Sequence, residues 1–344
     1  AQACSGPALP PAHSERGSSP LWRRMAAAAV VDMVSVPTSA GTREQIDLAS
    51  PVLNFQKLSH PQVSVNACSQ KYGSQAIRSL FEKLAERGKS CGYEELNLSD
   101  NRIGDEGCAY LQAGLSGNEN IKRLLMPRAG VGTKGFQALG PLLASTPALE
   151  MVVLSGNRCD ADGVGGEFSK GLEKNKTLRS LFLAECRLGD QGVANLCNGP
   201  LRAHPALEHI SLNYNRLEVA SVSSLCKVLA TNQALRYLDL CGNSIGAEGA
   251  EALVEGLRAN KGRLQKLGVA QNCMGLKGTK ALAVHFQSKE GAALDFLDLR
   301  HNLTTYRGMV EVRAMLGQPM SDDPTEGPGW LLLFGERQLC LNAH

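Results

Sequence analysis

Aromatic residues are scarce: Phe, Trp and Tyr together make up 5% of the 344 residues. That scarcity, beside abundant Leu, Ala and Gly, suits a layered core built from small repeated units. Charge of one sign is not in excess either. A formal net charge of +3 gives no strong electrostatic case for nucleic acid or an anionic membrane. No apolar run is long enough for a membrane span. Paired cysteines are missing too. The eleven cysteines are odd in number, irregularly spaced and without a CxxC pair. This excludes the disulfide framework of a small secreted domain and reads as mostly reduced, buried thiols in an intracellular protein. The expected location is therefore cytoplasmic.

Catalytic signatures are also lacking. There is no GxSxG, P-loop, HExxH or paired-Cys zinc motif. The glycine-rich "GVGGEF" at residues 163–168 falls at a helix entry and reads as a turn of the backbone, not a phosphate cradle. The seven His residues are scattered. His209 and His301 are expected on one face but three repeats apart, too far to share a metal. His285, beside Phe286, reads as structural. The expectation is a protein without enzymatic activity, cofactor or metal. Three glycosylation-like triplets begin at Asn97, Asn175 and Asn302. Asn302 falls at a buried position of the repeat described next, and reduced cysteines argue against the other two.

The chain does contain a register. In "LRYLDLCGNSIGAEGAEALVEGLRAN", residues 235–260, strand spacing at Leu235, Leu238 and Leu240 is followed by Asn243. Helix spacing follows at Leu253 and Leu257. The first apolar position recurs at Tyr93, Ile121, Leu149, Leu178, Leu207, Leu235, Leu264 and Leu294, every 28 to 30 residues. The pattern is LxxLxLxx(N/C)xL. Its Asn/Cys position is filled by Asn101, Asn157, Cys186, Asn215, Asn243, Asn272 and Asn302, with Ala129 departing. A glycine six residues on, such as Gly107 or Gly249, permits a tight helix entry. Only Ser221 departs there. The asparagine has a structural job. The chain turns inward after each short strand and buries backbone groups that no sheet satisfies. A carboxamide offers two donors and an acceptor to bond them.

These features define four segments. Residues 1–50 read as a disordered or presequence-like extension. Residues 1–24 are rich in Pro, Ser and Ala, and the sequence opens on Ala, not Met. "RRMAAAAVVDMVSV" resembles a signal peptide, but Asp32 interrupts its apolar run. A start at Met25 and organellar targeting by residues 1–40 both stay open. Residues 51–92 form an N-terminal capping unit, with Val63 and Val65 spaced as a strand and Cys68 at the ladder position. Residues 93–316 hold eight repeats. Residues 317–344 are a C-terminal loop and cap, with "WLLLFGERQLCL" expected to form a hairpin.

The 28/29 alternation, LxxLxLxxN and "IGAEGAEAL" together resemble the ribonuclease-inhibitor-type leucine-rich repeat family over about residues 60–316. The resemblance implies an α/β fold: a curved solenoid with a parallel inner sheet and outer helices. Solenoids of this kind present broad, rigid binding faces. Side chains that alternate out of the strands are expected on the concave face. Candidate partner-binding residues there are Phe182, Glu185, His209, Tyr214 and Arg236, followed by Tyr237, Asp239, Phe296 and Arg300. Phe182, Tyr214 and Tyr237 lie on neighbouring strands and are expected to form an exposed hot spot. The alternative is that they only shield one another. The expected function is a protein–protein interaction scaffold with a protein partner. A second reading is a regulator similar to Ran GTPase-activating proteins, acting on a small GTPase. Members of that group carry a strongly acidic tail, whereas this sequence ends "GERQLCLNAH".

Overall fold

Each repeat spends about half its length on a short strand and the turn after it, and the rest on a helix. The structure, a computed structural model, describes residues 64–66, 78–80, 82, 93–260, 263–317, 330–334 and 337–341. All belong to one compact unit, residues 43–344. The expectations for residues 1–50 and for Cys68 lie outside the described residues.

The strands are β1 (Ser64–Asn66), β2 (Glu95–Asn97), β3 (Arg123–Leu125), β4 (Met151–Val153), β5 (Ser180–Phe182) and β6 (His209–Ser211). They continue as β7 (Tyr237–Asp239), β8 (Lys266–Gly268) and β9 (Phe296–Asp298). All nine pair in parallel with their sequence neighbours, one after another. A terminal hairpin, β10 (Trp330–Phe334) and β11 (Arg337–Leu341), ends the sheet. β11 lies parallel to β9, and β10 antiparallel to β11. Helices α1 (Gly104–Leu115), α2 (Thr133–Ser145), α3 (Ala161–Val164), α4 (Gly166–Lys174) and α5 (Gly189–Asn198) alternate with these strands. So do α6 (Val219–Thr231), α7 (Gly246–Ala259), α8 (Gly275–Gln287) and α9 (Tyr306–Met315).

The core lies between the sheet and the helices. Leu238 and Leu240 on the strand side and Ala250, Leu253 and Leu257 on α7 are all buried, and the other repeats follow suit. Stacking is required for this burial, because one strand–helix unit alone leaves both flanks in water. Neighbouring strands sit about 4.8 Å apart, whereas packed helices need about 8–10 Å. The helix side is therefore the longer one, and the array is a curved leucine-rich repeat solenoid with its strands on the concave side.

In the third repeat the buried helix positions, Phe168 and Leu172, fall one residue later after Asn157 than Leu253 and Leu257 do after Asn243. The helix of that repeat is broken into α3 and α4 at Gly165, and Gly166 takes a left-handed φ of +48°. "GVGGEF" is this break.

Candidate functional site

Two asparagine ladders set the strand positions. In the first, Asn243 Oδ1 accepts from Asn215 N (2.8 Å) and Leu217 N (3.1 Å) of the preceding repeat. Its Nδ2 donates to Leu240 O (2.7 Å) and Leu212 O (3.2 Å). Asn157, Asn215 and Asn302 bond in the same manner. Cys186 fills its rung with weaker contacts, Sγ to Leu154 O at 3.3 Å and to Ala184 O at 3.4 Å. Burial pushes that thiol up to about 12. Asn175 is buried as well, and Asn302 fully so. Neither triplet is open for glycosylation.

The second ladder is not among the sequence expectations. Asn118, Asn175, Asn232 and Asn260 sit where each helix ends and turns toward the next strand. Asn232 Oδ1 accepts from Ala234 N and Leu235 N, both at 2.8 Å, and Nδ2 donates to Leu201 O at 2.7 Å. Asn175 and Asn260 reach Leu143 O and Leu229 O in the same way, both at 2.9 Å. The signal was present in the sequence, as the same 28–29 residue period at a second offset.

Acidic residues add a third device. Asp105 Oδ1 accepts from Gly132 N (2.6 Å) and Gly135 N (2.9 Å), capping α2 of the following repeat. Asp190 accepts from Glu218 N (2.8 Å) and from the Ser221 hydroxyl. Ser221 therefore replaces the usual glycine with a buried side chain that has a partner. Asp105 lies in the first turn of α1, and its carboxylate also caps the helix of the next repeat.

On this frame, the strand register fixes two rows of concave side chains. One runs Glu95, Arg123, Met151, Ser180, His209, Tyr237, Lys266 and Phe296. The other runs Asn97, Leu125, Val153, Phe182, Ser211, Asp239, Gly268 and Asp298. Phe182 and Tyr237 thus lie in different rows, two strands apart, with β6 between them.

The expectation of three exposed aromatics holds only at Tyr214. Phe182 and Tyr237 are 4% and 5% exposed, whereas Tyr214 is 44% exposed. Phe182 stands between Val153 and Ser211 of the adjacent strands, and Tyr237 between His209 and Lys266. Tyr237 donates to Asp239 Oδ2 (3.3 Å) and stands edge-on to His209, ring centroids 6.1 Å apart. His209 Nδ1 lies 3.1 Å from the Ser180 hydroxyl, and burial lowers its pKa.

Asp239 is buried, which raises its pKa. Asn213 Nδ2 (2.6 Å) and Cys241 N (3.2 Å) donate to it and offset part of that cost. Arg300 does not face outward as a free cation. It grips Asp298 through Nε (2.9 Å) and Nη2 (2.6 Å). Arg236 turns back onto the carbonyls of Gln233 (3.1 Å) and Leu235 (3.3 Å). Phe296 is half-buried and Glu185 is exposed. The structure therefore brings Tyr237, Asp239 and His209 together, leaves Phe182 apart, and places Phe296 and Arg300 two strands beyond.

The rim position just before each ladder residue is left-handed in every repeat: Asp100, Arg128, Gly156, Glu185, Tyr214, Gly242, Gln271 and His301, with φ between +50° and +74°. A side chain in that conformation costs about 1–2 kcal/mol, yet only two of these are Gly. Arg128 forks onto Asp100 at 2.6 and 2.9 Å. Tyr214 donates to Gln271 Oε1 at 2.8 Å, passing over Gly242. Nearby, Lys122–Glu94 (2.9 Å) and Arg123–Glu95 (2.7 Å) pair across strands. Being partly exposed, each contributes at most about 1 kcal/mol.

Among the described residues, no group of three or more His, Cys, Asp or Glu is arranged to hold a metal. No helix among them is long and apolar enough to cross a membrane.

The register and the ladders define a leucine-rich repeat protein. Residues 94–111, 174–197 and 231–254 match the leucine-rich repeat family model. The chain is 31% identical over 230 residues to the ribonuclease inhibitor of Sus scrofa, covering 67% of this chain and 50% of that protein. It is 33% identical over 233 residues to human NACHT, LRR and PYD domains-containing protein 12, covering 67% of this chain and 21% of the relative. The chain thus spans about half the length of the inhibitor and about a fifth of the NACHT protein. Among solved structures, the yeast Rad7–Elc1 complex shares the fold, with a TM-score of 0.50, 15% identity, and coverage of 75% of this chain and 60% of that one. The repeats of this chain are of the ribonuclease-inhibitor type.

Proposed function

We propose that the chain is a protein-binding module whose concave rim engages a protein partner around Tyr214. One observation carries this reading: Tyr214 is an exposed aromatic held in a fixed orientation. The other large apolar side chains left exposed among the described residues are Val219, Val284, Leu303, Tyr306 and Met315. None of these occupies a concave-rim position. Tyr214 is fixed at both ends, by its left-handed backbone and by Gln271. A fixed ring loses little conformational freedom on binding, and such aromatic anchors dominate many interfaces. Exposed Glu185 stands at the same rim position one repeat earlier and supplies a polar border.

The name of the Sus scrofa relative says that it inhibits ribonuclease. A protein partner for this chain is in keeping with that. The location that suits the reduced thiols is the cytoplasm. A photo-crosslinking residue at Glu185 should trap a protein partner in cells, while one at Glu255 on α7 should not. Trapping at Glu255 alone would move the interface to the helices.

A further inference from the structure

His204 occupies the second ladder at the position held by Asn175 one repeat earlier and Asn232 one repeat later. Its ring supplies only half of the rung. Nδ1 accepts from Leu207 N (3.1 Å) and Ala206 N (3.4 Å), as Asn232 Oδ1 does from Leu235 N and Ala234 N. The donor half is not made. Nε2 is buried without a hydrogen-bond partner, whereas Asn175 and Asn232 each donate to a carbonyl of the repeat before. A nitrogen that accepts two backbone N–H groups has no room for a proton. Protonation at Nδ1 would place three donors against one another and break both bonds.

We propose that His204 is an acid-labile rung, whose protonation releases the loop of residues 199–208 and loosens β6. The loop feeds straight into that strand, which carries His209 and leads to Tyr214. The following rung rests on the same loop: Asn232 Nδ2 bonds Leu201 O, and Thr231 Oγ1 donates to Arg202 O at 3.1 Å. Opening the loop therefore removes support from both sides of β6.

The electrostatics around the ring act in the same direction. Burial disfavours the imidazolium, and the Lys176 cation of the preceding repeat repels it. The Asn175 backbone favours the proton without completing a hydrogen bond to Nε2. Together they lower His204 from the ordinary value of 6.5 to about 4. The folded loop binds the proton less readily than the open one. Its stability is therefore intact above about pH 6.5 and is lost as pH falls toward 4. Between pH 7 and pH 5 the closed-to-open ratio should fall roughly twentyfold. The consequence for partner binding rests on the concave-rim reading above, whereas the test addresses the rung alone.

The test is amide hydrogen exchange of the full chain at pH 7 and pH 5, corrected for the intrinsic pH dependence of exchange. Ala206 and Leu207 should lose protection roughly twentyfold relative to Ala234 and Leu235, whose acceptor Asn232 cannot titrate. In His204→Asn the two pairs should behave alike. Equal pH trends at the two rungs of the wild type would overturn the proposal, and so would persistence of the difference in His204→Asn. If that variant does not fold, the wild-type comparison decides alone.

Discussion

The Tyr214 hydroxyl donates to Gln271 Oε1 at 2.8 Å, although 57 residues separate the two in sequence. The bond spans two repeats and passes over Gly242, on which the ring lies. A Cβ at Gly242 would stand 2.2 Å from Tyr214 Cε1, and the backbone there is left-handed at φ +68°. Gly242→Ala therefore meets both a clash and backbone strain. It should destabilise the protein by about 1–3 kcal/mol and release Tyr214 from Gln271. Urea midpoints and tyrosine ring NMR shifts would record both effects. An unchanged midpoint with the ring still in place would refute this relationship.

Asn243→Leu removes a carboxamide that accepts two backbone N–H groups and donates to buried carbonyls. The loss should be about 1–3 kcal/mol for each group left without a partner. Asn243→Cys should cost less, since Cys186 fills the same rung with two longer contacts. Equal denaturation midpoints for wild type and the Leu variant would contradict the ladder account.

Thiol reactivity should follow burial. Among the described cysteines, Cys273 is exposed, while Cys108, Cys159, Cys186 and Cys197 are buried. Burial pushes Cys108 and Cys197 up to about 12, so little thiolate exists at neutral pH. A maleimide should label Cys273 first in native protein and reach the four buried thiols only on unfolding. Cys226 is only partly covered, with Sγ 3.2 Å from Ala252 O, and should fall between these groups. Peptide mapping after timed labelling would check the order, and early labelling of Cys186 would contradict it.

Tyr237→Ala should behave as a core mutation. The ring is buried and faces His209 and Asp239, so truncation should cost about 3–5 kcal/mol, as for other large buried aromatics. Tyr237→Phe keeps the ring and gives up the long hydrogen bond to Asp239, so it should cost clearly less than truncation, about 1 kcal/mol for each hydrogen bond lost. Calorimetric melting of the two variants should separate these outcomes. If both melt like the wild type, Tyr237 does not belong to the concave packing.

The parts of this fold that repeat were legible in the sequence. Leu238, Leu240, Asn243, Leu253 and Leu257 announce strand, turn and helix because each burial need recurs every 28 to 30 residues. The rung at Asn118, Asn175, Asn232 and Asn260 was legible too, but two of its intervening members, His204 and Thr146, break the asparagine pattern and hide the period. Burial of Phe182 and Tyr237 was not legible. Strand alternation says which face a side chain takes, while the cover over it comes from neighbouring repeats. The role of Asp105 was hidden for the same reason: the N–H groups it caps, Gly132 and Gly135, belong to the next helix.

The central claim is that Tyr214 anchors a protein partner at the concave rim, and the dissociation constant of the crosslinked partner tests it most directly. Tyr214→Ala should weaken binding by about 2 kcal/mol or more, roughly thirtyfold, with the fold intact by circular dichroism. Tyr306→Ala, which truncates another exposed tyrosine, at the start of α9, should leave affinity within about twofold of wild type. Wild-type affinity in Tyr214→Ala, with binding lost in Tyr306→Ala, would contradict the account and place the interface on the helical side.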